Sequence, residues 1–159
     1  MNEKLQQTYD IHVVYRSRRD ELLSSLEDKD LEYRPGPGLP TLGDLCQSLG
    51  ENHAAYIDSF VTFEFKPETR RGTAARHTGS VSALQSWFSG LDGELHAVLD
   101  SMDDETATTP VWRGPDFQLP AHVHLDVLRE ALLIFCGKAS VYLKLMNKPL
   151  PGAWPEWIE

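Results

Sequence analysis

Only two cysteines occur among 159 residues, Cys46 and Cys136, and they form no CxxC pair. A disulfide framework or a clustered zinc site is therefore not expected, and both thiols read as buried core groups. No apolar run approaches the ~18 residues that a membrane span needs. The opening MNEKLQQTYD has no basic segment followed by an apolar one, so neither a membrane span nor a secretory leader is expected, and a cytoplasmic location is. Basic residues are scarce, with 15 Lys and Arg against 24 Asp and Glu and a net charge of −9. That balance argues against nucleic acid as a partner, and Arg70, Arg71 and Arg76 read as a solvated loop. Phosphate cradles and nucleophile elbows are missing too, since there is no P-loop, G-x-G-x-x-G or G-x-S-x-G.

What the chain does have is helix. Leu125, Leu128, Leu132, Phe135, Ala139, Tyr142 and Met146 recur in steps of three and four, the period of a helix with one face on a core. Val127, Ala131, Ile134, Val141 and Leu145 add a second stripe, so this helix is expected to be covered on more than one side. It should end at Asn147, which tolerates a left-handed C′ position, before Pro149. A first helix is drawn from about Glu3 to Leu26 on Leu5, Tyr9, Ile11, Val14, Tyr15, Leu22, Leu23 and Leu26, with His12, Arg16 and Arg19 interrupting its stripe. The breaker RPGPGLP follows. Thr41 then caps a second helix, in a capping-box-like arrangement with Asp44, whose face is Leu42, Leu45, Leu49, His53, Tyr56 and Phe60.

Residues 62–79 read as a long polar loop. Ser80 caps a third helix with the face Leu84, Phe88, Leu91, Leu95, Val98 and Met102. Between the third and fourth helices, VWRGPDFQLP carries a Gly114-Pro115-Asp116 turn flanked by alternating apolar residues, which suggests a short β-hairpin. The expectation is one domain over residues 1–159, an all-α four-helix bundle with long crossover loops.

The stretch GKASVYLKLMNKPLP resembles the end of the DinB/YfiT-like superfamily of four-helix bundles, whose last helix typically reads H-x-x-x-H-R-G-Q and then Y-L-R-L-L-G. Gly137 and Tyr142 to Met146 match that spacing, with Asn147 in place of the usual glycine. RPGPGLPTLGDLCQSLGENHAAYI resembles the family's linker and second helix. Many members bind a divalent metal through one histidine on the second helix and two on the fourth. The register set by Gly137 puts these positions at Ser48, Ala131 and Phe135. A slip of one residue offers Gln47, Glu130 and Ile134. Neither trio suits zinc or nickel, so the three-histidine site does not carry over.

Ser48, His53, Ala131 and Phe135 are then the expected walls of a partly apolar cavity, with Cys46 nearby. His53 reads as a core or pocket-wall histidine. His96 is expected to approach it across the bundle, and these two are the metal candidates. His122 and His124 form an H-x-H pair expected to be exposed or satisfied by loop groups, while His12 and His77 show no partner. The resemblance implies a bacterial, stress-associated scaffold without a metal cofactor that binds a small molecule or a partner and pairs as a homodimer. The alternative is a metal-dependent hydrolase or thiol S-transferase holding zinc or nickel through relocated ligands: His53, His96 and Glu130 or Glu51. The closing Trp154, Trp157 and Ile158 either fold back in cis or cover a partner subunit.

Overall fold

A computed structural model describes residues 1–72 and 75–158, apart from the side chain of Ile158. Four long helices dominate it: α1 (Glu3–Ser25), α2 (Leu42–Thr62), α3 (Val81–Asp100) and α5 (Ala121–Leu145). A short α4 (Asp104–Thr108) and the strands β1 (Pro110–Gly114) and β2 (Phe117–Pro120) bridge α3 and α5, and α6 (Pro155–Ile158) closes the described chain. In the bundle α1 packs on α5 and α3, and α2 packs on the same two helices, which leaves α1 and α2 at opposite corners.

The helix ends lie where local chemistry puts them. Thr41 accepts from the Asp44 N–H at 3.0 Å while the Asp44 carboxylate accepts from the Thr41 N–H, a complete capping box. The Ser80 hydroxyl accepts from the Ala83 N–H and starts α3. Asn147 takes φ 56°, with its own N–H on the Lys144 carbonyl and that of Lys148 on the Leu143 carbonyl. This is a Schellman cap with asparagine in the left-handed position. The expected hairpin forms, pairing Val111 with Leu119 and Trp112 with Gln118. Phe65 N–H donates to the Trp112 carbonyl at 2.8 Å and Trp112 N–H to the Phe63 carbonyl at 2.9 Å, tying the hairpin to the segment after α2.

Three readings of the helix faces change. Ile11 and Val14 on α1 are about half exposed, whereas His12 and Arg19, which break the apolar stripe, face the core and are almost wholly buried. The second stripe of α5 is covered only in its first half: Val127 and Ala131 are half-buried, whereas Ile134, Val141 and Leu145 are each more than half exposed. Buried polar residues on α1 thus occupy positions that periodicity reserves for apolar ones. For Arg19, pairing with the Asp92 carboxylate on α3 makes this tolerable; His12 stays uncharged instead.

The loop 62–79 is latched to α2 while most of its described residues, among them Arg70, Arg71 and Arg76, stay exposed to solvent. Arg70 bonds the Asp58 carboxylate and Arg76 bonds Asp44 at 2.9 Å. Gln47 donates to the Ala75 carbonyl and accepts the His77 N–H. Residues 73 and 74 of this loop lie outside the described residues. The loop comes so near α2 that a Cβ on Gly43 would collide with the Thr78 carbonyl. Gly43→Ala is therefore expected to destabilise the protein by about 1–3 kcal/mol, since a backbone carbonyl cannot rotate aside as a side chain would. Urea unfolding of that variant checks it.

The C-terminal segment folds back in cis. Trp154 is fully buried and its Nε1–H donates to the Arg18 carbonyl at 3.1 Å. Trp157 stands edge-on to Tyr15, with ring centroids 5.4 Å apart. Gly152, at φ 51°, lies against the Glu21 carboxylate.

Candidate functional site

Two groups of chemistry-bearing residues stand out, one in a surface cleft and one at the bundle centre. The cleft lies between α2 and α5 and encloses about 490 Å³. Ser48, Ala131 and Phe135, the three positions singled out by the register of Gly137, all line it. Leu45, Leu49 and Ile134 supply further apolar wall, and Arg71 and Lys138 stand at its edge. The Ser48 hydroxyl is turned to its own helix, donating to the Asp44 carbonyl at 2.9 Å. Glu51, also in the wall, accepts from Gln47 at 3.2 Å and from the Gly72 N–H at 3.1 Å. Among the described residues, neither Arg71 nor Lys138 has an ion-pair partner.

His53 and Cys46 do not line this cleft, contrary to the sequence reading. Seven residues apart on α2, they share its inner face, and both are buried. Burial pushes the thiols of Cys46 and Cys136 up to about 12, so neither is a thiolate nucleophile near neutral pH.

At the centre, His53 meets His12 from the opposite corner, with ring centroids 6.1 Å apart. His12 in turn lies 6.2 Å from the Tyr9 ring, and Tyr9 lies 5.4 Å from His96, which is exposed. His96 therefore sits at the outer end of a chain of rings instead of beside His53, and His12 is the partner that sequence reasoning missed. Burial holds the His12 imidazole down at about 4 and that of His53 at about 3, so both are neutral. Beside them, Arg19 forms a two-pronged pair with Asp92 at 2.7 and 3.2 Å, and its guanidinium stacks 4.4 Å over the Phe88 ring. Among the described residues, no group of three or more His, Cys, Asp or Glu is placed to hold a metal ion.

His124 is the other correction. It is fully buried, while His122 is half-buried. Arg113 bonds the His124 Nδ1 at 2.7 Å and Ser59 Oγ lies 2.7 Å from Nε2. Because a guanidinium only donates, Nδ1 must accept and Nε2 must carry the proton. The ring then donates to Ser59, whose hydroxyl donates to the Tyr56 carbonyl at 2.6 Å. A His that donates to a Ser cannot take its proton, so this pair is no nucleophilic dyad. Tyr56 stacks on the ring at 4.6 Å and Phe65 meets it edge-on at 5.5 Å. His77 also has a partner, the Trp87 ring at 4.9 Å.

Bundles of this connectivity, with a hairpin before the last helix and a ligand-sized cleft between the second and last long helices, define a class of protein rather than an activity. No protein-family model matches the chain, and no curated protein does. Among solved structures, a DinB-like protein from Bacillus subtilis, YjoA, is similar, with a TM-score of 0.67 and 14% identity over 95% of this chain and 97% of that one. The fold is thus the DinB-like all-α bundle. No described helix is long and apolar enough to cross a membrane.

Proposed function

We propose that this DinB-like bundle binds a small, mainly apolar molecule bearing one anionic group in the cleft between α2 and α5, without a metal ion held by Ser48, Ala131 and Phe135. The observation that carries the reading is the convergence of these three side chains in one cleft, with one hydroxyl and two hydrocarbon groups and no imidazole among them. Apolar walls with a few placed polar groups are the usual make-up of a ligand pocket. Arg71 and Lys138 at its edge favour an anion over a cation. The stress-associated, bacterial role implied by the sequence resemblance would then be one of ligand sensing. Anilinonaphthalene sulfonate, an apolar dye with one sulfonate, is a suitable probe. It is expected to bind one per chain with enhanced fluorescence, about tenfold more weakly in Lys138→Glu, a change of about 1.4 kcal/mol. Ala131→Trp, which fills the cleft, should abolish binding, and dye binding unchanged in that variant would refute the reading.

A second copy of the chain is the other occupant that an observation favours. The exposed Ile134, Val141 and Leu145 form an apolar stripe running from the cleft along α5. Sedimentation of wild type and Val141→Glu should then show a dimer only in the former.

A further inference from the structure

We infer that the groove between α1 and α3 binds a small zwitterion, a free α-amino acid with a neutral polar side chain. This groove encloses about 610 Å³ and lies across the bundle from the α2–α5 cleft, so the inference does not depend on what that cleft binds. Two polar side chains in its wall are more than nine-tenths buried, Tyr9 at 7% exposed and Arg19 at 2%. The Tyr9 ring is held between His12, at 6.2 Å, and His96, at 5.4 Å. Its hydroxyl nevertheless has no hydrogen-bond partner among the described residues, whereas a buried phenol usually finds one.

Arg16 is the second open donor. Its side chain is only 24% exposed, its nearest carboxylate oxygen is on Asp92 at 3.6 Å, and its guanidinium makes no hydrogen bond among the described residues. A guanidinium so far withdrawn from water is costly without acceptors, and its planar fork matches a carboxylate. Tyr9 lies two turns earlier on the same face of α1, so the phenol and the fork border one stretch of the groove. An acceptor for an ammonium stands one turn further on. Asp20 gives Oδ1 to Arg19, at 2.9 and 2.6 Å, and its Oδ2 bonds nothing. Residues four apart such as Arg16 and Asp20 are neighbours on a helix, with about 5–6 Å between Cβ atoms, yet these two do not pair with each other. A free fork and a free carboxylate oxygen at that spacing suit a carboxylate and an ammonium carried on one carbon.

The charge of the lining points the same way. Arg16 and Arg19 balance Asp20 and Asp92, so the groove matches a ligand that carries both signs and no net charge. Beyond Asp20 the wall continues with Ser24 from α1 and with Gln85 and Ser89 from α3. The side chains of these three have no hydrogen-bond partner among the described residues. They offer donors and acceptors without charge, the complement of a hydroxyl or carboxamide side chain. L-Glutamine has all three parts and is the probe.

Titration of the isotope-labelled full chain with L-glutamine, followed by amide chemical shifts, tests the site. Saturable shifts are expected on α1 and α3 around Arg16, Asp20 and Ser89, and none around the α2–α5 cleft. N-acetyl-L-glutamine lacks the ammonium and L-glutaminol lacks the carboxylate, so each should bind about tenfold more weakly or worse. Arg16→Gln should have the same effect on L-glutamine. Tyr9→Phe removes an oxygen that bonds nothing within the protein, so its urea midpoint should match wild type while affinity for L-glutamine falls about tenfold. No saturable shift at millimolar L-glutamine, equal binding of either analogue or of glucose, or undiminished affinity in Tyr9→Phe would each overturn the assignment. The analogue comparison uses unmodified protein, so it decides the matter even if a variant does not fold.

Discussion

Lowering the pH from 7 to 5 is expected to remove about 6 kcal/mol of this protein's stability, because three buried histidines must stay neutral for it to fold. In the unfolded chain each binds a proton near pH 6.5. In the folded protein burial holds His12 at about 4 and both His53 and His124 at about 3; for His124 the neighbouring Arg113 adds to the effect. Between these values the unfolded state carries more protons, so stability is complete above pH 6.5 and falls as the pH drops. Each group contributes about 1.4 kcal/mol per pH unit, hence about 4 kcal/mol per unit for the trio. Against a usual total of 5–15 kcal/mol, roughly one and a half units are enough to matter decisively.

Urea midpoints measured between pH 7.5 and 5 should trace this slope, and His53→Leu should reduce it by about a third. Carboxylates do not confuse the window. Asp30 works against burial with the Glu27 N–H and Lys148, and Asp44 does so with Thr41 and Arg76, so both sit below the usual carboxylate range. Their contribution is lost only below about pH 4. A midpoint that stays flat from pH 7 to 5 would show that the three imidazoles are not held neutral.

Trp154→Ala is expected to destabilise the protein by about 3–5 kcal/mol, the range for removing a fully buried large aromatic. The indole is wholly enclosed and also loses its bond to the Arg18 carbonyl. For a chain of this size the melting temperature should fall by about 10 °C. Trp157, half exposed against Tyr15 and Arg18, should cost much less on the same substitution. Since the tail docks on its own bundle, the loss should not depend on protein concentration. A melting temperature that rises with concentration in wild type but not in Trp154→Ala would assign the indole to a partner subunit instead.

Sequence reasoning worked best where the controlling groups lie within one or two turns of each other. The box between Thr41 and Asp44, the cap at Ser80, the left-handed Asn147 and the hairpin around Gly114 are all of this kind. It failed on polar residues in apolar positions. His12 and Arg19 read as interruptions because an isolated helix gives no reason to bury them. Their partners, His53 and Asp92, lie 41 and 73 residues further on. His124 read as one half of a surface pair because Arg113 and Ser59 come from β1 and α2.

The cleft shows both sides of this. A register set by Gly137 and Tyr142 placed Ser48, Ala131 and Phe135 at one site, and they do line one cleft. That His53 turns from it toward His12 follows from α1 and α2 standing at opposite corners around a shared centre.

The chain by itself therefore determined the four long helices, their ends at Thr41, Ser80 and Asn147, and the bundle class, because hydrophobic period and capping act over a few residues. Only the tertiary structure decided which polar side chains go inside, which apolar stripe of α5 stays bare and where the tail docks. Those outcomes rest on pairings between distant segments, and a buried charge or imidazole becomes tolerable only once another helix has brought its neighbour alongside.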